Sequence, residues 1–509
     1  MAGMQAPAKD HESMKDGITL TRRTIMKGGG AALALSASGS ATRAQPVAEP
    51  QPWIDVMPAL TGYIADAAQH MVPGEVRDRA RLHVLDTLAS IIACRTLEAA
   101  RLGRAYAGAM GGIGDSPILG SSQTAPPIDA VFASAMTAHA AEINDFIPSA
   151  YVQPGPAIVS AALETARSHR CSGRDLISAV IVGYEIAGRL PKAIGTRNLY
   201  QAGLANHGMA PTFGTAAACA PLLGLSRAQV NHMLAYCAQQ ASGSWQWLLD
   251  VRHVEKAFVF AGMGARNGLQ AAHMARLGFT GVPDSFDNEK GWFRWRSFQG
   301  PGSQHSSLIE GLNQRWELQL AAMKRYPVGG PTQPAVRALL DLRRTIGPEQ
   351  VRSIRIAMPG EAATFERAAM PALNIPYLAA IIMLDGRLDF VAAQSLDRLA
   401  TDKAAAEFAQ RVTVVQDNSQ DSGEGEDRTE SARVTVALTD GQQVERFVPY
   451  VPGFPTHPMT RAEAQDKARE LVAPVLGKAK ANELIALCDA LDRSPSVDPL
   501  LALMRVPDG

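Results

Sequence analysis

Residues 176–186 read LISAVIVGYEI, a stretch that is apolar on nearly every side of a helix. It therefore predicts a central helix that is buried all round. From about residue 55 to residue 275, apolar residues recur at three- and four-residue spacing, as in ARLHVLDTLA over residues 80–89. Breakers such as Pro154-Gly155-Pro156 separate these segments. The region is predicted to be a bundle of helices.

The second half of the chain has a different texture. Apolar and polar residues alternate over residues 351–358, 411–415 and 432–438, and this period of two predicts β-strands. The third of these runs through Asp440-Gly441 into residues 444–447, which is typical of a β-hairpin. This part of the chain is therefore predicted to carry a small sheet.

Helices are also predicted in the second half, over residues 333–345 and 376–385. Thr460 and Glu463 form a capping box that opens a last helical segment over residues 461–493. Helices and strands therefore alternate here, as in an α+β domain.

The fold class predicted from these patterns is mainly α with a smaller α+β domain. The predicted helical domain covers residues 45–282 and the α+β domain covers residues 283–450. The C-terminal helices of residues 451–509 can return to the helical domain.

The composition excludes several classes of protein. The 509 residues include 49 Lys and Arg and 49 Asp and Glu, so no large basic field is present to attract nucleic acid. Hydrophobic residues make up 46% and charged residues 19%, which is typical of a globular protein. The cysteines show neither CxxC pairs nor zinc-site spacing, so neither a disulfide framework nor a thiolate metal site is predicted. They are Cys94, Cys171, Cys219, Cys237 and Cys488.

The N-terminal segment, residues 1–44, resembles a twin-arginine export signal. Arg22-Arg23 precedes a weakly apolar, Gly/Ala-rich run, and Thr42-Arg43-Ala44 offers a cleavage site after Ala44. A disordered basic tail is the alternative. No later segment has some twenty uninterrupted apolar residues, so we expect a soluble periplasmic protein without membrane insertion.

Two stretches of the first half carry residues suited to acid–base chemistry. Residues 138–148, AHAAEINDFIP, place Glu142 and Asp145 where a helix meets a loop, although this stretch alone favours helix-end polarity or salt bridging as the explanation. His207 precedes a turn that contains Gly and Pro and then an Ala-rich helix, where it can transfer a proton or lie satisfied in the core.

Two further stretches carry cations. Lys256 lies among ionisable residues before a helix of small residues, where it can hold a carboxylate or belong to a solvated turn. Residues 324–334, KRYPVGGPTQP, form a rigid loop that can bind an anion or act as a hinge.

Taken together and in order, these stretches resemble the MmgE/PrpD family over about residues 55 to 480. Further supporting motifs are Gln153-Pro154-Gly155, Gly183-Tyr184-Glu185, Phe213-Gly214-Thr215, Gly278-Phe279-Thr280-Gly281, Arg325-Tyr326-Pro327 and Met383-Leu384-Asp385-Gly386. The resemblance implies an active-site cleft between a helical and an α+β domain, a homodimer, and no cofactor or metal.

The resemblance also implies roles for individual residues. His207 would be the general base, Lys256 would hold the substrate carboxylate, Tyr377 would donate a proton or hydrogen bond, and Glu142 would orient groups or act as a second acid or base. Substrate-binding positions would be Asp145, Gln153, Arg325, Gln333 and Phe146.

The chain departs from the family pattern at several of these positions. Phe146 replaces a threonine and Gln153 replaces a histidine, while Gly329 and Gln333 occupy two more histidine positions. Glutamine can hydrogen-bond a substrate but cannot shuttle a proton. Phe146 makes the pocket more apolar, which favours a substrate less charged than citrate.

The function predicted from these residues is a cofactor-independent lyase or isomerase that abstracts a proton next to a carboxylate of a small organic acid. An epimerase or racemase of the same family is one alternative, and an inactive periplasmic carboxylate-binding protein is another. An α/α-barrel polysaccharide lyase is disfavoured, because 6% aromatic residues are few for a sugar-binding groove.

Overall fold

The computed structural model describes residues 53–110, 112–300, 302–422, 425 and 429–507. The export signal predicted over residues 1–44 lies outside the described residues. Within the described ranges, no helix is both long enough and apolar enough to cross a membrane.

The first part of the chain folds into helices. They are α1 (Met57–Ala65), α2 (Gly74–Cys94), α3 (Glu98–Met110), α4 (Pro127–Ala138), α5 (Gly155–Ser168), α6 (Gly173–Ile194), α7 (Thr196–Gln201), α8 (Asn206–Leu222), α9 (Arg227–Gln240), α10 (Val254–Ala257) and α11 (Met263–Arg276). A π-helical segment, Phe258–Gly262, joins α10 to α11. Two short antiparallel strands, β1 (Ser116–Pro117) and β2 (Thr124–Ala125), lie between α3 and α4.

Helix α6 contains the stretch that is apolar on nearly every side, and it is the central buried helix that the sequence predicts. Ser172 caps its N-terminus in a reciprocal capping box with Asp175. Helices α6 and α8 approach closely because glycines face each other. A Cβ atom on Gly183 would lie 2.9 Å from the carbonyl oxygen of Gly214, and one on Gly214 would lie 2.7 Å from that of Gly183.

The second part of the chain forms a mixed sheet covered by helices. Its elements are α12 (Gln333–Arg343), β3 (Val351–Met358), α13 (Ala362–Glu366), α14 (Ile375–Asp385), α15 (Phe390–Gln394), α16 (Leu396–Thr401), α17 (Lys403–Ala409), β4 (Val412–Gln416), β5 (Ala432–Leu438) and β6 (Gln443–Val448). The strand order is β4-β3-β5-β6, with β3 and β4 parallel and the other pairs antiparallel. In register, Ile356 lies opposite Val414 on one side and Val434 on the other. This part has its own hydrophobic core.

The chain ends in α18 (Arg461–Asp489) and α19 (Asp498–Leu503). Helix α18 begins with the predicted capping box of Thr460 and Glu463, and it is kinked at Gly477, which has φ of +83°. Buried residues of α18 such as Leu484 and Cys488 belong to the same core as the first eleven helices. The structure thus confirms a mainly α fold with a smaller part that combines helices and a sheet.

Candidate active site

A buried carboxylate with two lysines forms the centre of the candidate site. Glu142, in the irregular segment after α4, accepts hydrogen bonds from the ammonium groups of Lys256 and Lys324, the latter at 2.9 Å. His253 Nε2 lies 3.3 Å from the same carboxylate. We call Glu142, Lys256, Lys324 and His253 the carboxylate–lysine cluster. All four side chains are buried.

The lysines determine the charge of the cluster. Burial alone would raise the pKa of Glu142, but the ammonium groups of Lys256 and Lys324 hold it well below its usual range. Glu142 is therefore anionic and compensates one of the two ammonium charges. The remaining positive charge suits the cluster to an anionic ligand.

His207 lies on an aromatic wall that it shares with Lys256. Its ring stacks on Phe260 with centroids 4.2 Å apart and meets the edge of Trp247 at 5.1 Å. The Lys256 ammonium lies 5.2 Å and 5.0 Å from the centres of the same two rings. Burial, followed by the charge of Lys256, lowers the pKa of His207 to about 3. The imidazole is therefore neutral, and its buried Nδ1 has no hydrogen-bond partner among the described residues.

Irregular backbone brings these groups together. Phe260 lies in the π-helical segment, and such segments often occur at functional sites because the extra residue redirects side chains. His253 has φ of +59°, in the left-handed region that a histidine seldom adopts. Asp250 fixes the adjoining turn by accepting a hydrogen bond from the Lys256 backbone N–H at 2.8 Å.

A third buried histidine, His139, completes this side of the site. Its Nδ1 lies 2.5 Å from Asn144 Oδ1, and its ring stacks on Phe260 at 4.8 Å. Burial holds the pKa of His139 well below its usual range. Potential ligand atoms of His139, Glu142 and His253 lie within 4.8 Å of one another, which raises the question of a metal ion. Two ammonium groups on Glu142 oppose a divalent cation, so the geometry fits an anion better.

Phe146 lies beside the carboxylate–lysine cluster and is packed against Phe454. The Lys324 ammonium lies 5.6 Å from the centre of the Phe146 ring, and Phe454 meets that ring edge-on at 5.6 Å. Phe146 also pairs through its backbone with Ala322. Phe146 therefore places an apolar ring beside a lysine of the cluster. Its effect on the choice of substrate stays a prediction. Gln153 presents a buried Oε1 that has no hydrogen-bond partner among the described residues.

Tyr377 is not brought to the cluster. Helix α14 buries the ring in the core of the second part, where the hydroxyl donates to the Ala392 carbonyl at 2.7 Å. Burial raises the pKa of Tyr377 to about 12. No contact between Tyr377 and the cluster is found in the described ranges. The hydroxyl of Tyr377 is thus engaged with Ala392 in this structure, and its role as a proton donor stays a prediction.

Asp145 belongs to a separate buried network. Its carboxylate lies 2.7 Å from His83 Nδ1 and accepts hydrogen bonds from the Tyr184 hydroxyl and, at 3.2 Å, from the Gly155 N–H. These contacts tie the segment after α4 to α2, α5 and α6. In this structure Asp145 positions its neighbours, and the substrate-binding role predicted for it stays a prediction.

Gln333 and Arg325 are also engaged elsewhere. Gln333 donates to the carbonyls of Tyr326 and Val328 at 2.8 Å and 2.9 Å and accepts from the Tyr326 N–H at 2.9 Å. Its amide thus shapes the loop of residues 326–328. Arg325 makes two hydrogen bonds of 2.8 Å to Glu470. Neither side chain contacts the carboxylate–lysine cluster in the described structure, and the substrate-binding roles predicted for them stay predictions.

Several site residues were not predicted. His139, His253 and Lys324 lie within or beside stretches that the sequence analysis selected. The stretches could therefore be found from sequence, but the roles of these three residues could not. Trp247 and Phe260 carried no signal, since an aromatic residue in helical sequence is equally expected in a core.

Comparison with known proteins places the whole chain in a family. The model of the MmgE/PrpD N-terminal domain matches residues 58–303, and that of the MmgE/PrpD C-terminal domain matches residues 326–493. The cis-aconitate decarboxylase-like protein oryM of Aspergillus oryzae is 27% identical over 423 residues, covering 76% of this chain and 84% of that protein. Cis-aconitate decarboxylase of Aspergillus terreus is 24% identical over 484 residues, covering 87% of this chain and 95% of that enzyme. Human cis-aconitate decarboxylase is 25% identical over 303 residues, covering 58% of this chain and 62% of that enzyme. Since the two domain models together span most of the described sequence, the chain belongs to the MmgE/PrpD family.

Proposed function

We propose that this protein is a lyase or isomerase that abstracts a proton next to a carboxylate of a small organic acid, without a cofactor. One observation carries the proposal: a neutral His207 and the ammonium of Lys256 contact the same two aromatic rings. The base, His207, and the charge that would bind a carboxylate, on Lys256, therefore lie beside the same two rings. The relatives named cis-aconitate decarboxylases support the lyase class and a small carboxylic acid as the substrate.

The cluster supplies the binding half of this chemistry. A substrate carboxylate would compete with Glu142 for the ammonium groups of Lys256 and Lys324, and it would neutralise the positive charge that Glu142 leaves. Trp247, Phe260 and Phe146 offer apolar surface for the rest of the molecule. The single excess charge and this apolar lining favour a substrate less charged than citrate.

His207 supplies the proton-transfer half. In the free protein, Lys256 adds to the effect of burial and keeps His207 neutral. A bound carboxylate offsets that positive charge, so the pKa of His207 rises when substrate is present and the imidazole becomes a stronger base. The proton moves from the α-carbon to His207, and the electron pair moves into the carboxylate that the lysines stabilise. Departure of a leaving group from the neighbouring carbon, with a proton from one of the lysine ammonium groups, then gives a lyase. Epimerisation would instead need such an ammonium group to return a proton to the opposite face, because His207 serves only the face from which it took the proton.

The test is a search for chemistry on a panel of acids. The mature protein would be incubated in deuterated water with di- and tricarboxylates and their monoacid analogues, followed by proton NMR. We expect deuterium at the α-carbon, or a new product, for at least one acid. Lys324→Gln should raise KM for that acid about tenfold or more, because one charge-assisted contact is lost. The exposed Lys478→Gln serves as the matched control and should leave KM unchanged.

Two outcomes would contradict the enzyme proposal. Acids that raise the melting temperature without exchange or product would identify a carboxylate-binding protein. No chemistry and no stabilisation by any acid would mean that the substrate class is wrong.

A further inference from the structure

A second positively charged hollow lies in the sheet-containing part of the molecule. It has a volume of about 370 Å³, which is within the range of small-molecule sites. Helix α12, the loop before it and the turn after α14 form its walls. Its charged lining consists of Arg325, Arg337, Asp341, Arg343, Arg344 and Arg387.

Two carboxylates compensate only part of this charge. Arg325 pairs with Glu470 at 2.8 Å, and Arg337 pairs with Asp341 at 3.1 Å. Asp341 also accepts hydrogen bonds from Arg446, so its capacity is shared with an arginine outside the lining. Among the described residues, three of the five lining arginines are therefore left without a compensating carboxylate.

The three remaining arginines differ in how they are held. Arg343 donates through Nε to the Met383 carbonyl at 2.7 Å, which fixes its guanidinium group without neutralising it. Arg344 and Arg387 are exposed and form no ion pair or hydrogen bond through their side chains within the described ranges. In a chain whose formal net charge is zero, this is a strong local concentration of positive charge.

The hollow is separate from the candidate active site. None of the residues that line it belongs to the carboxylate–lysine cluster, and Lys324 contacts the buried Glu142 whereas Arg325 lines the hollow. Arg325 was predicted from sequence to bind substrate beside the catalytic residues. In the described structure Arg325 pairs with Glu470 and lines the hollow, and its role in substrate binding stays a prediction.

We propose that this hollow binds a small molecule through a diphosphate group. Arginine presents a planar fork of donors that matches phosphate oxygens in pairs, and it keeps its charge at all physiological pH values. In a diphosphate the inner phosphate is singly ionised and the terminal phosphate carries about −1.5 to −2 charges near pH 7, so the group balances the three uncompensated arginines better than a single carboxylate does. This site is independent of the reaction proposed above.

Isothermal titration calorimetry on the mature protein tests this assignment with inorganic diphosphate, orthophosphate and tricarballylate as probes. We expect diphosphate to bind at least about tenfold more tightly than the other two. Arg344→Gln/Arg387→Gln should weaken diphosphate binding about tenfold or more. Arg352→Gln/Arg355→Gln removes two exposed arginines of β3 that do not line the hollow, and it should change the affinity less than about twofold.

Several results would overturn the proposal. These are an absence of diphosphate binding to the unchanged protein, equal weakening in both double variants, and tricarballylate binding as tightly as diphosphate. Equal weakening would mean that only the overall charge attracts the anion. The melting temperature of each double variant, measured without ligand, verifies that the fold is intact.

Discussion

Glu142 holds two buried ammonium groups at once, so Glu142→Gln would leave both without a counter-charge. We expect this substitution to lower the free energy of unfolding by about 3–5 kcal/mol, as for other broken buried ion pairs. Urea denaturation measures it. Glu470→Gln is the matched control, because it breaks the pair with Arg325 on a side chain that is 57% exposed. The control should change stability by about 0–1 kcal/mol. Similar losses for both variants would show that the cluster is not a strongly coupled buried unit.

The pKa of His207 makes stability depend on pH in a defined direction. This pKa is about 3 in the folded protein and 6.5 for an ordinary histidine. Between these values the unfolded chain binds more protons at this residue than the folded one, so its contribution to stability is lost as the pH falls from 6.5 towards 3. The stability of a His207→Asn variant should therefore fall less steeply over that range. Urea denaturation at several pH values measures both curves, and parallel curves would contradict the buried, neutral imidazole.

Some of the candidate site residues could be predicted from the sequence, and others could not. Glu142, His207, Lys256 and Phe146 were chosen from the sequence, and the structure brings them together. Asp145 was chosen from the same stretch as Glu142, yet its side chain joins His83 and Tyr184. In an irregular segment no period fixes the direction of successive side chains. Packing against other elements fixes it, and one sequence does not contain that information in readable form.

Among the elements, the contact between α6 and α8 depends on Gly183 and Gly214. A Cβ atom on Gly183 would lie 2.8–2.9 Å from atoms of Ile158, Ala218 and Gly214, so Gly183→Ala must move one helix. We expect it to cost about 1–3 kcal/mol of stability, as overpacking does. Thermal or urea unfolding measures this. Gly108→Ala in α3 is the control, since nothing lies within 4 Å of the added atom, and it should stabilise by about 0.5–1 kcal/mol. A neutral Gly183→Ala would contradict the close approach.

Regular elements followed closely from sequence, and irregular ones did not. Strand β3 spans the residues predicted for it, with Ile354, Ile356 and Met358 buried at a period of two, although the register shift between Val351 and Ser353 interrupts that period at its start. Helix α8 begins at Asn206 and includes His207, whereas Gly208 and Pro211 favoured a turn before the helix. Burial of the whole first turn of α8 overrides that local preference. The π-helical segment that positions Phe260 has no distinguishing sequence signal.

In the molecule as a whole, helix α18 supports the candidate active site although it lies far from Glu142 in the sequence. The Lys467 ammonium on α18 lies 2.6 Å from Asp86 on α2 and donates to the Ile143 carbonyl at 2.8 Å. Ile143 is adjacent to Glu142, so α18 fixes the backbone that carries the central carboxylate.

The homodimer implied by the family resemblance stays a prediction, and light scattering of the mature protein tests it.

The sequence also predicts that the protein is exported by means of its N-terminal segment. Residues 1–44 are proposed to direct the folded protein through a twin-arginine pathway. In a bacterium that has this pathway, the unchanged chain should be found in the periplasmic fraction after cleavage. Arg22→Lys/Arg23→Lys should keep it in the cytoplasm, while Lys27→Arg should export normally. Equal distribution of all three proteins between the fractions would contradict the signal.

The most direct test of the proposed chemistry compares two histidine variants in deuterated water. For an acid that the unchanged protein processes, His207→Ala should reduce deuterium incorporation or product formation by a factor of about 10²–10⁴, because the general base is removed. His169→Ala, at the end of α5, should retain the full rate and shows that losing a histidine is not itself the cause. Proton NMR gives both rates directly. A folded His207→Ala protein that turns over at the unchanged rate would contradict the assignment of His207 as the base.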